Sequence, residues 1–137
     1  MTAKQYLQQY KEAVRLVDSI QDEYDEQMEQ INSIRSSLGG DGLPRSGEVR
    51  KKVESQAVRL AEKAEELLQA EADALAIRQE VYRTVRKVPG DPGEVLRERY
   101  INLLKWEQVA DTLGWSLRNC HELHNKGLTI VEGIIKQ

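Results

Sequence analysis

The sequence predicts an all-α protein. A long antiparallel helical hairpin, coiled-coil-like in pattern, is followed by a C-terminal trihelical unit of helix-turn-helix spacing. Three observations predict this. An apolar heptad runs through residues 3–38. Two glycine- and proline-rich breakers, at about 39–47 and at 89–93, divide the chain into helical stretches. Residues 105–128, KWEQVADTLGWSLRNCHELHNKGL, place a small residue, a turn glycine and apolar positions where two short helices pack on a third. The expected division is 1–90 for the hairpin and 91–137 for the C-terminal domain.

The first helix carries Ala3, Tyr10, Val17, Tyr24, Ile31 and Leu38 at one heptad position. Tyr6, Ala13, Ile20, Gln27 and Ile34 stand three residues later, and only Gln27 among them is polar. A seam sustained over about five heptads suits a helix roughly 50 Å long. Thr2 and Gln5 have capping-box spacing at its start. The carboxylates of 22–26, DEYDE, read as a solvated face, with an acidic docking surface as the sharper alternative.

The segment GGDGLPRSG then reverses the chain. Ser46 is the expected N-cap of a second helix that reaches Lys87 or Val88. Its stripe is Val53, Ala57, Leu60, Ala64, Leu67, Ala74, Ile77, Val81 and Val85. The alanines suit a closely approaching partner: the first helix in a hairpin, or a second copy of the chain in a homodimer.

PGDPG at 89–93 ends that helix. Asp91, Pro92 and Glu94 read as N-cap, N1 and N3 of the next. A short helix is expected from Trp106 to Leu113, a turn at Gly114, and a last helix from Leu117 to Ile135 capped by Ser116. Leu128, Val131, Ile134 and Ile135 extend its apolar stripe, for packing onto the domain or the second long helix, or for a dimer contact.

Composition narrows the function. The chain has 137 residues, 31% charged, 39% hydrophobic and 5% aromatic, with no Phe, which suits long helices with narrow apolar stripes. A net charge of −3 supplies no global attraction to nucleic acid, so any such contact is local. One cysteine excludes an internal disulfide and suits a reducing compartment. No apolar run is long enough to span a bilayer, and no membrane partner is expected. Cys120, His121 and His124 lack the second ligand pair that structural zinc needs. The glycine stretches do not match a phosphate-binding loop. No catalytic residue, metal site or cofactor is expected.

A polar helix start at the end of a trihelical unit suits reading of double-stranded DNA. In such a unit the last helix lies in the major groove and its first turns meet base edges. The outward positions there are Ser116, Leu117, Arg118, Asn119, His121, Glu122 and Asn125. Arg pairs with guanine, Asn with adenine, and Glu accepts from cytosine N4. Arg97, Arg99, Lys105 and Lys126 are the expected phosphate contacts.

The stretch RYINLLKWEQVADTLGWSLRNCHELHNKGL resembles the fourth conserved region of bacterial sigma factors. The shared residues are Arg99 and Tyr100, Trp106, Val109 and Ala110, Leu113 and Gly114, Trp115 and Ser116, and His124 ahead of Leu128. Lys105 stands where that family often has a capping Ser or Thr, and Gly127 where Ala is usual. A helical N-terminal half joined to such a domain is similar to small phage and prophage regulators. The resemblance implies a helix-turn-helix regulator acting with host RNA polymerase in the bacterial cytoplasm, such as a late-gene activator. Nothing resembles the sigma region that melts promoter DNA, so an accessory factor is implied. The alternative is a module that docks polymerase or another host protein without reading DNA.

Overall fold

A computed structural model describes residues 1–37 and 47–137. Most of the expected linker and the Ser46 cap lie outside the described residues. The elements are α1 (Ala3–Ser37), α2 (Gly47–Val85), α3 (Gly90–Leu96), a π turn (Arg97–Ile101), α4 (Trp106–Leu113) and α5 (Leu117–Ile135). No strand occurs among the described residues. Two compact units result, residues 15–72 and residues 1–14 with 73–137. The second unit draws in the start of α1 and the end of α2, beyond the segment 91–137 that the sequence delimits.

In the unit of residues 15–72 the two long helices pair antiparallel. Ile20, Ile31 and Ala70 are buried between them. Lys63 Nζ lies 2.6 Å from Glu23 across the pair and 3.0 Å from Glu66 on its own helix. The two carboxylates, bonded to the ammonium, raise the lysine's pKa above its ordinary value. The α1 heptad positions Val17, Ile20, Tyr24, Gln27, Ile31 and Ile34 are buried or half-buried here, as their pattern predicts, and Leu38 lies outside the described residues. The α2 stripe differs from expectation: Ala57 and Ala64 are exposed, while Gln56 and Lys63 are half-buried with Val53, Leu60 and Leu67. Alternating steps of three and four from Val53 select 56 and 63. An alanine one position further round carries too little apolar area to rotate the seam. The side-chain oxygens of Gln27 and Gln56 are buried without a hydrogen-bond partner. Both residues line a cavity of about 100 Å³ with Gln30 and Arg59.

In the other unit one core joins the start of α1, the end of α2, α3, the π turn and α5. Ala3 and Leu7 of α1 meet Val81 and Val85 of α2, Leu96, Tyr100, Ile101 and Val131. Thr2 and Gln5 complete a reciprocal capping box at the start of α1, with bonds of 2.9 and 3.1 Å. The Ala3 N–H donates to the Glu132 carboxylate of α5 at 2.9 Å. That bond, with Lys136 beside it, holds Glu132 below the usual carboxylate range. Tyr6 Oη and Thr84 Oγ1 share a hydrogen bond of 2.9 Å. The apolar tail of α5 (Leu128, Val131, Ile134 and Ile135) packs in this core rather than facing outward. α2 ends at Val85, two to three residues sooner than expected, and closes with turn bonds from Lys87 to Thr84 and Val88 to Val85.

α3 starts one residue before the expected cap. Gly90 takes a φ of +70° and enters the helix, so Asp91 sits in the first turn and no side chain caps the end. There its charge complements the helix dipole instead. Below Leu96 the helix widens: the Asn102 N–H reaches back five residues to the Arg97 carbonyl at 3.0 Å. Leu103 then adopts a left-handed φ of 56° that ends the segment.

Candidate nucleic-acid interface

α4 and α5 meet at a turn whose residues are dictated locally. Gly114 takes a φ of +71°, which costs a glycine nothing, and its N–H bonds the Ala110 carbonyl at 2.9 Å. Trp115 donates to the same carbonyl at 3.1 Å. Ser116 Oγ accepts from the Asn119 N–H at 3.1 Å and so caps α5. At the start of α4 Lys105 offers no accepting atom. The Gln108 side chain supplies half a capping box, accepting from the Lys105 N–H at 2.9 Å.

The turn is held by a small second core. Val95 of α3, Val109 and Ala110 of α4 and Cys120 of α5 are buried together, with Leu104, Trp106, Leu113, Trp115 and Leu123 around them. Burial pushes the Cys120 thiol up, so it stays protonated and behaves as a small hydrophobe. Gly127 lets α5 come close to α3. A Cβ there would lie 2.9 Å from Leu96 Cδ1 and 3.0 Å from its Cγ, so the departure from the usual Ala answers a close approach.

An aromatic cluster lies where the π turn, α4 and α5 meet. Tyr100 Oη and His124 Nε2 share a buried hydrogen bond of 2.6 Å. His124 also meets Trp106 edge-on, with centroids 4.8 Å apart, and His121 lies over Trp106 at 4.3 Å. Burial lowers the His124 pKa to about 4, helped by the positive charges of Lys4, His121 and Arg99, so the imidazole is neutral at pH 7. Burial likewise raises the Tyr100 pKa.

The seven residues expected to read bases are all exposed on or beside the first turns of α5. Arg118 leaves 91% of its side chain open and makes a loose ion pair with Glu122 at 3.4 Å. Ser116 is committed to its cap and His121 to Trp106, which leaves Arg118, Asn119, Glu122 and Asn125 as the outward polar row. Of the four expected phosphate contacts, Arg97, Lys105 and Lys126 are exposed. Arg99 is not placed like them. It is half-buried, donates to the Leu104 carbonyl at 2.8 Å, and lies 4.9 Å over the Trp106 ring. It braces the loop before α4.

The chain matches no known protein family, no characterised protein and no solved structure. The geometry therefore carries the functional argument. Among the described residues no group of His, Cys, Asp and Glu is arranged to hold a metal ion. No described helix is long and apolar enough to cross a membrane.

The sequence left two features of this unit unread. The Tyr100–His124 pair joins residues 24 apart, and it carries no periodic signal. The arginines around Tyr82 (Arg78, Arg86 and Arg97) come from separate stretches of the chain, and no single stretch displays them.

Proposed function

We propose that the protein is a DNA-binding transcriptional regulator in which α5 enters the major groove, with a bacterial RNA polymerase as its working partner. The observation that carries this is the start of α5. A serine-capped helix presents Arg118, Asn119, Glu122 and Asn125 outward, on a unit rigidly turned at Gly114. Those side chains match the hydrogen-bonding edges of guanine, adenine and cytosine. Lys105 and Lys126 supply phosphate contacts at either end of that row. The sigma-region resemblance of 99–128 supports the same reading, with this helix acting at a promoter in a late-gene activator of phage origin.

One observation limits the strength of binding. From residue 93 onward, Arg97, Arg99, Lys105, Arg118, Lys126 and Lys136 are balanced by Glu94, Glu98, Glu107, Asp111, Glu122 and Glu132. Phosphate neutralisation supplies much of protein–DNA affinity, so a neutral unit binds weakly alone. Tethering to polymerase, or pairing as a homodimer, raises the effective concentration. The same balance favours the second reading, in which the unit docks polymerase or another host protein without touching bases.

Fluorescence anisotropy with labelled promoter duplexes, at low salt and with or without bacterial RNA polymerase, separates the two. Sequence-preferring binding in either condition is expected. Asn119→Ala or Arg118→Ala should cost about 1–3 kcal/mol on the preferred site and relax preference at one base. No binding to any duplex in either condition sinks the DNA reading. Polymerase capture that survives nuclease treatment, without a footprint, establishes the alternative.

A further inference from the structure

We propose that the cleft beside Tyr82, formed by the end of α2, by α3 and by Arg97 of the π turn, is a phosphate-binding site. Arg78 and Arg86 stand four residues either side of Tyr82 and so lie along its face. Arg97 arrives from the π turn. The three guanidinium carbons lie 5.9, 5.7 and 5.9 Å from the centre of the Tyr82 ring, and Arg78 also lies 6.0 Å from the Tyr10 ring. One such contact is an ordinary cation–π pair. Three on one ring gather like charges, and none of these arginines makes an ion pair among the described residues.

An open cleft of about 280 Å³ lies against this group. Tyr82, Arg86, Gly90, Gly93, Glu94 and Arg97 line it, over Val85 and Val88. Arg86 and Arg97 are exposed and Tyr82 is half-buried. Glu94 is the one carboxylate in the lining, so arginines outnumber it two to one at the cleft, with Arg78 as a third at the ring. A bound anion removes the repulsion that the cluster otherwise carries. Phosphate suits it better than a carboxylate, because its several oxygens accept from two planar forks at once.

The phosphate can belong to a nucleic-acid backbone or to a free phosphorylated molecule. The backbone source rests on the DNA reading above, and the free source does not. On the backbone the cleft would add contacts that hold the protein on a duplex without reading sequence.

The test uses the full chain and the arginine Nε–H signals in NMR. Inorganic pyrophosphate and a random-sequence duplex are titrated separately. Shifts at Arg86 and Arg97 with the duplex are expected. The double variant Arg86→Ala/Arg97→Ala should then flatten the slope of log affinity against log salt by about two, with base preference unchanged. Both positions are exposed, and far-UV dichroism checks that the variant folds. Shifts with pyrophosphate alone assign the site to a free phosphate and reject the backbone source. Arginine signals unmoved by either probe overturn the proposal, even if the duplex binds at α5. If no duplex binds at all, the DNA reading fails, and the pyrophosphate titration still decides the cleft.

Discussion

His124 shows how one buried side chain sets a pH limit on this fold. In an unfolded chain it takes a proton near pH 6.5, whereas in the folded protein burial beside Lys4, His121 and Arg99 delays this to about 4. Between those values the unfolded chain binds more protons than the folded one. The stability is therefore fully present above pH 6.5 and is lost as pH falls toward 4. The shift is worth about 3 kcal/mol, or roughly 2 once solvent screening is allowed for. Denaturant unfolding above pH 6.5 and at about pH 5, on wild type and His124→Gln, checks it. Wild type should lose a large part of that stability by about pH 5, the rest going nearer pH 4, and the variant should not. Equal losses would place the titrating group elsewhere. None of this was legible in the sequence, where His124 reads as part of a pattern. Its partner Tyr100 is brought to it by the π turn, and an irregular turn has no periodic signature.

Among the elements, the α1–α2 pair carries a polar flaw at its seam. Gln27 and Gln56 bury side-chain oxygens without partners beside a small cavity. A polar residue at such a position costs stability and can fix register. Gln27→Leu/Gln56→Leu should raise the thermal midpoint of the helix pair, by about 1–3 kcal/mol of stability. The register role predicts a second effect: a cysteine pair placed to crosslink the native register should crosslink less selectively in the leucine variant. A lower midpoint would mean the glutamines bond partners in solution and stabilise the pair. The sequence exposed half of this. Gln27 interrupts an otherwise apolar series and is plain to see. Gln56 was hidden by Ala57, because an alanine fits either side of a stripe and gives no phase. By contrast α4 and α5 were legible to the residue. Gly114 and Ser116 fix the turn through left-handed φ and capping, and both are local effects that a sequence displays directly.

For the whole molecule, the core of the C-terminal helices is completed from distant parts of the chain. Their larger core needs Ala3 and Leu7 from one end of the chain and Val81 and Val85 from the end of α2. Removing these uncovers Leu96, Tyr100, Ile101 and Val131, at about 1.5–3 kcal/mol for each large side chain. The fragment 91–137 should therefore show reduced helicity and no cooperative melt by circular dichroism. Co-expression with both partner segments should restore it. A fragment that melts cooperatively alone would show that the smaller core around Val95, Val109 and Cys120 suffices. The sequence suggested a boundary at the breaker near 90, because glycine and proline mark chain turns, not the edges of a core. The division at 15–72 has a practical corollary. Both tryptophans of the chain, Trp106 and Trp115, belong to the unit of residues 1–14 and 73–137. Their fluorescence reports that unit alone, while the far-ultraviolet signal sums over every helix. The molecule thus carries its own optical label for one of its halves. The gap between the two unfolding curves measures how far the halves melt as one.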